Sequence, residues 1–178
     1  MKIFQKDKKA KFFIFLVSIF ILSQFRLIEH PWNFTPVLAF GILAGYYLRS
    51  IAYGYGLIIA SMILGDLIIG FHYLIFFTYI GLLFSVIIGK YLKQLKLFQL
   101  VFSGIASSVV FFIISNFGVW LLSGFYSLNF QGLLECYVAG IPFFRSTLIS
   151  TLIFVFVIKW IFDKLKFYPP LAKERTFA

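Results

Sequence analysis

The sequence has one cysteine, two histidines and only six Asp and Glu in 178 residues. A lone Cys136 excludes an internal disulfide. With His30 and His72 it is too dispersed along the chain to predict a metal's ligand shell, so no metal is expected. The serines sit in no nucleophile elbow and nothing marks an acid–base pair, so the chain does not read as an enzyme. The glycines around Gly54 lack the Lys-Ser/Thr ending of a phosphate loop, which removes that route to ATP hydrolysis, and no cofactor is expected. Acidic residues are scarce against sixteen Lys and Arg, giving a net charge of +10. In a soluble domain that excess would suggest nucleic acid. Here the distribution of charge gives a better explanation, and no nucleic-acid partner is expected.

What the chain has in abundance is apolar surface: 62% hydrophobic residues and a mean hydropathy of +1.00. A soluble domain of this length could not hide so much, so the lipid bilayer is the expected solvent. A spanning helix needs roughly 20 apolar residues, and six spans with short loops nearly exhaust the length. The expectation is an all-α membrane protein: one six-helix transmembrane domain over residues 1–168 and a basic cytoplasmic tail over 169–178. The apolar runs predict helices over 12–28, 36–48, 51–71, 74–91, 100–122 and 142–160. Lys2, Lys6, Lys8, Lys9 and Lys11 precede the first run, but no small-x-small cleavage site follows it, so it reads as a retained span. Between the first two runs, Pro31 and Pro36 break the helix, Trp32 suits an interfacial anchor, and Thr35 can cap the next helix with Pro36 at its first position. The second helix is short for a full span. Residues 130–139 predict a short interfacial helix stopped by Gly140. Gly41 and Gly45, and Ser61 and Gly65, carry the four-residue spacing of close helix packing.

With both termini cytoplasmic, every Lys and Arg except Arg26 and Arg145 falls on the cytoplasmic side, as the positive-inside rule requires. The other side collects Arg26, Glu29, His30, Asp66, Glu135 and Arg145, with His72 close by. Asp66 lies about 22 Å along its helix at 1.5 Å per residue, and Asn116 lies at a similar depth in the fifth. Ionisable groups at such depth are costly and are functional candidates by default. Two readings of Asp66 stand side by side: it pairs with Arg145 or Arg26 and locks helices together, or it lines a pocket. The pocket reading places Asp66, Asn116 and Arg145 around a small solute. Asn33, Thr35, His72 and Glu135 close over it, and Trp32, Trp120 and Tyr137 stack on a ring.

Four segments carry a resemblance: His30-Pro31-Trp32-Asn33-Phe34-Thr35-Pro36, Gly65-Asp66-Leu67-Ile68-Ile69-Gly70-Phe71-His72, Ser115-Asn116-Phe117-Gly118-Val119-Trp120 and Cys136-Tyr137-Val138-Ala139-Gly140-Ile141-Pro142-Phe143-Phe144. Together they resemble a bacterial membrane family of unknown function whose members are described as candidate transport proteins. That family in turn resembles the substrate-binding S components of energy-coupling factor transporters. The resemblance implies an S-component-like six-helix bundle in the bacterial cytoplasmic (inner) membrane, both termini cytoplasmic, that takes up a vitamin or cofactor precursor. It also implies a partner, an energy-coupling membrane subunit with ATPases. The alanine-rich docking stretch typical of helix 1 in S components is not evident, since residues 12–25 are bulky with only Ser18 and Ser23 small. The expected function is therefore uptake of a small solute through an outward-facing pocket. The alternative is a membrane scaffold or assembly subunit whose buried polar residues only stabilise helix packing.

Overall fold

Apolar runs punctuated by proline, glycine and polar residues fold into six helices among the described residues, and no strand, in the computed structural model. The structure describes residues 2–29, 31–48 and 50–164; within these, the side chains of residues 2–12 and 15 are not described. The helices are α1 (Lys2–Phe25), α2 (Val37–Tyr47), α3 (Ile51–Ile69), α4 (Ile75–Lys90), α5 (Leu97–Leu122) and α6 (Phe130–Lys164). The expected roles of His30 and the tail 169–178 lie outside the described residues. By length and composition α3, α5 and α6 could each cross a membrane, while α2, α4 and Leu16–Phe25 of α1 are shorter apolar helices.

The short α2 is the centre of the bundle. Of its 11 residues all but Phe40 are buried, and it packs against α3, α4, α5 and α6. One face, with Ile42, Tyr46 and Tyr47, forms a cluster with Leu100 of α5 and Val155, Ile158 and Phe162 of α6. The other, with Val37 and Leu38, joins Leu22 of α1, Ile58 and Met62 of α3, and Leu82 and Val86 of α4. The closest approach is to α4. Gly41 faces the Ser85 side chain, Gly45 faces the Val86 carbonyl, and Gly89 faces the Ile42 carbonyl. The glycine pair of α2 thus meets a matching small pair, Ser85 and Gly89, whose spacing serves the same end.

Interior and exterior chemistry fit a lipid surround. Ser61, Ser85, Ser103, Ser150 and Thr151 are buried, and each hydroxyl donates back to a carbonyl three or four residues earlier in its own helix. Large apolar side chains face outward instead: Phe20, Leu67, Phe76, Phe102, Ile149 and Trp160 among them. A contiguous exposed apolar surface of this kind suits acyl chains rather than water.

Several boundaries differ from expectation, for identifiable reasons. α1 ends at Phe25 in a turn closed by the Leu27 N–H on the Gln24 carbonyl at 2.9 Å, and Arg26 in that turn donates through Nη1 to the Met62 carbonyl of α3 at 3.0 Å. Thr35 does not cap α2: Pro36 is the N-cap, and its carbonyl accepts the Phe40 N–H at 2.9 Å. α3 stops at Ile69 because Gly70 takes φ 103°, a conformation that favours glycine. The interfacial helix expected over 130–139 and the span expected over 142–160 are one helix of 35 residues with Pro142 inside it. Gly140 is there for close approach, not termination: a Cβ at that position would collide with the Asn116 and Phe112 side chains of α5.

The α2–α4 contact is backbone against backbone, so added carbon cannot be accommodated by rotating a side chain. Gly45→Ala and Gly89→Ala are each expected to lower stability by about 1–3 kcal/mol. Gly56→Ala, with nothing within 4 Å, is expected to leave it unchanged or slightly raised. Thermal unfolding of the full chain in detergent checks this.

Candidate functional site

Because α2 has only 11 residues, it is about 16 Å long, roughly half the hydrocarbon thickness of a bilayer. Its neighbours run on past its first residue and enclose a space that no helix fills. The result is a cavity of about 480 Å³, within the range of small-molecule pockets. Val37 and Leu38, the first turn of α2, contribute to its lining, as do Thr78 and Leu82 of α4 and Met62 of α3. α5 contributes Phe111, Ser115, Asn116 and Val119, and α6 contributes Cys136, Gly140, Phe143 and Thr147. The connecting segments supply Trp32, Asn33, Thr35, His72 and Tyr126.

The loop before α2 is folded to reach this space. The Phe34 N–H donates to the Pro31 carbonyl at 2.9 Å and the Thr35 N–H to the Asn33 carbonyl at 3.1 Å. Asn33 sits at φ 59°, the left-handed region that asparagine tolerates better than most residues. The Trp32 ring, largely exposed, lies 5.6 Å from the Phe143 ring across the cavity edge.

Among the described residues one charged group lines the cavity: Arg26. Its Nη2 lies 2.6 Å from Oδ1 of Asp66, an ion pair without the angle of a hydrogen bond. The other carboxylate oxygen, Oδ2, accepts from the Tyr79 hydroxyl at 2.5 Å. Asp66 is fully buried and does not line the cavity. Gly65 makes the arrangement possible, since a Cβ there would press on the Arg26 guanidinium. The network ties the end of α1 to α3 and α4. Of the two partners considered for Asp66 in the sequence, Arg26 and not Arg145 holds it.

Of the sequence-selected residues, the fold brings Trp32, Asn33, Thr35, His72 and Asn116 to the cavity. Asn116 donates through Nδ2 to the Phe112 carbonyl at 2.9 Å, while its Oδ1 lies beside Gly140. The others stand outside the lining. Trp120 donates to the Ser127 carbonyl at 3.0 Å, and the Tyr137 hydroxyl to the Ile113 carbonyl at 2.8 Å. Glu135 is exposed and accepts from Gln131 at 3.0 Å; Arg145 is also exposed. Sequence reasoning left Cys136, Thr147, Thr78 and Ser115 out of the site. The buried Cys136 thiol donates to the Asn116 carbonyl at 3.4 Å. A helical signal was present: Cys136, Gly140, Phe143 and Thr147 recur at intervals of three or four, one face of a helix. Among the described residues no group of His, Cys, Asp and Glu could hold a metal ion.

Residues 6–170 match the model of a family described as "Family of unknown function (DUF6580)", and the chain belongs to that family. No curated protein and no solved structure matches the chain.

Removing one partner from the buried network leaves an uncompensated charge. Asp66→Ala is expected to cost about 3–5 kcal/mol, and Tyr79→Phe about 1–2 kcal/mol. The double variant Arg26→Met with Asp66→Leu is expected to regain most of the first loss, because no charge then remains unpaired. Melting temperatures of the purified variants in detergent decide it.

Proposed function

We propose that the protein is an integral membrane transport protein that binds a small solute in the cavity above α2 and takes it up from outside a bacterial cell. The observation that carries this reading is the cavity itself. It is small-molecule sized, mostly apolar, and includes polar residues from several different segments in its lining, the usual make-up of a ligand site. The proposed topology has six spans, with α2 as a buried half-length member and both termini in the cytoplasm. Its support is the segregation of charge. Lys90, Lys93, Lys96, Lys159 and Lys164 belong to the helix ends away from the cavity, which suits the cytoplasmic face. α1, α3 and α5 approach the cavity with their C-terminal halves, and α2, α4 and α6 with their N-terminal halves, as an up-and-down bundle must. A vitamin or cofactor precursor is the proposed class of solute, and an energy-coupling membrane subunit with ATPases the proposed partner, both on the family resemblance.

The second reading, a scaffold or assembly subunit, draws on the Arg26–Asp66–Tyr79 network, which satisfies the buried carboxylate internally. The two readings separate on ligand binding. In the transport reading Thr78→Trp, which fills the cavity from α4, abolishes solute binding while the protein still folds, and Asn116→Ala weakens it about ten-fold, the scale of one hydrogen bond to a buried group. Binding assays and uptake in cells measure both. If both variants fold and bind every candidate solute as the wild type does, the cavity is not the binding site.

The topology has its own test. In a Cys136→Ser background, a cysteine replacing Asn33 is expected to react with an impermeant maleimide on intact cells. A cysteine replacing Lys93 is expected to react only after the membrane is opened.

A further inference from the structure

The charges around the cavity are asymmetric. Arg26 lines it and, among the described residues, no carboxylate does. Asp66 has no exposed surface, whereas the Arg26 side chain keeps 15%. The pair is therefore polarised: the cationic partner belongs to the cavity lining and the carboxylate is buried outside it. Tyr79 reinforces this polarity by donating to Oδ2, which holds carboxylate charge away from the cavity. Glu29 and Glu135 are exposed and outside the lining. The Arg26 guanidinium spends one contact on the Met62 carbonyl and one on Asp66. That leaves N–H donors of its planar fork for a third partner.

Two further features act in the same direction. The first turn of α2 belongs to the cavity lining, and no side chain caps that helix among the described residues. Its opening N–H groups and the positive end of its dipole favour a negative charge nearby. His72, Asn116, Thr35 and Thr78 add hydrogen-bonding groups to the lining. The remaining lining is Trp32, Phe111, Phe143, Leu38, Leu82 and Val119, suited to an apolar or ring-shaped body.

We infer that the cavity takes a small amphiphilic anion, an apolar ring-sized body bearing a carboxylate, with the carboxylate held by the guanidinium of Arg26. This rests on the cavity being a solute site. A cationic solute would meet Arg26 with no lining carboxylate to offset the repulsion. A neutral solute would leave the remaining N–H donors of Arg26 with no anionic partner in the cavity. A carboxylate matches the fork geometry of arginine and supplies the charge-assisted contact that offsets its own dehydration.

The test compares matched compounds on the full-length purified protein in detergent, by calorimetric titration and thermal shift. The probes are benzoate, phenylacetate and indole-3-acetate, each with its primary amide and the amine of the same ring. At least one acid is expected to bind roughly ten-fold or more tighter than its amide, the scale of a charge-assisted hydrogen bond, and the amines not at all. Arg26→Lys keeps the charge but loses the fork, and is expected to weaken acid binding several-fold. The paired variant Arg26→Gln with Asp66→Asn keeps a hydrogen-bonded, uncharged pair; its acid-to-amide ratio is expected to fall to about one while its melting transition stays cooperative. Amides binding as tightly as acids to the wild type, or a folded paired variant that keeps its acid preference, overturns the anion assignment and leaves the solute site standing. If no probe of any charge binds, or if Thr78→Trp leaves probe binding intact, the solute site falls with it.

Discussion

Asp66 is a carboxylate with no exposed surface in a chain whose outer surface is apolar. In such surroundings an isolated charge costs several kcal/mol at least, so everything near Asp66 is arranged by the need to neutralise it. α1 ends at Phe25, and Arg26, the next residue, reaches α3. α3 carries Gly65 one residue before the acid, where the guanidinium packs closely against its backbone. α4 must start close enough to bring Tyr79 to Oδ2. Three helices are thereby fixed relative to one another at one end of the bundle, the end that holds the cavity.

The same end is left unfilled by a second constraint, the length of α2. Gly41 and Gly45 bring it so close to α4 that its register is set by backbone contact with Gly89. Its start is set by Pro36 and by the turn at Asn33. Between those two limits there is room for 11 residues. The neighbouring helices are longer, and the difference in length becomes the cavity. The site is therefore not carved from a packed core by special residues; it is the space left by one short helix among long ones.

This explains what the sequence disclosed and what it did not. The six helices were legible because apolar runs of different lengths are separated by Pro31, Pro36, Gly70 and polar segments. The shortness of the second run was visible too, and it is the origin of the cavity. The meaning of individual glycines was not legible. Gly140 carries the same local signal as a helix stop, yet it serves a contact with Asn116 of α5 that only the assembled bundle reveals. The choice between Arg26 and Arg145 as partner of Asp66 likewise depends on which helices lie side by side, and α1 packs on α3. Trp120 and Tyr137 stand out by residue type, but Trp120 bonds to the Ser127 carbonyl in the segment between α5 and α6, and Tyr137 ties α6 to the Ile113 carbonyl of α5. Cys136 and Thr147 carry no such signal, because small and weakly polar residues on one helix face read equally well as packing.

The balance between the transport and scaffold readings turns on why α2 is short. A bundle selected only for packing would gain by extending α2 one or two turns, since each added apolar side chain would bury area at roughly 25 cal/mol per Å². The sequence does the opposite. It places two prolines and a left-handed Asn33 immediately before α2, which bars the helix from growing into the space. It then borders that space with Thr35, His72, Asn116 and Arg26 set among apolar groups such as Trp32, Phe111 and Phe143. The ion pair and the cavity are thus separable: the first ties α1, α3 and α4 together, whereas the second is a space beside it. A cavity bounded in this way, with Arg26 at its wall, is the feature on which the proposed transport reading rests.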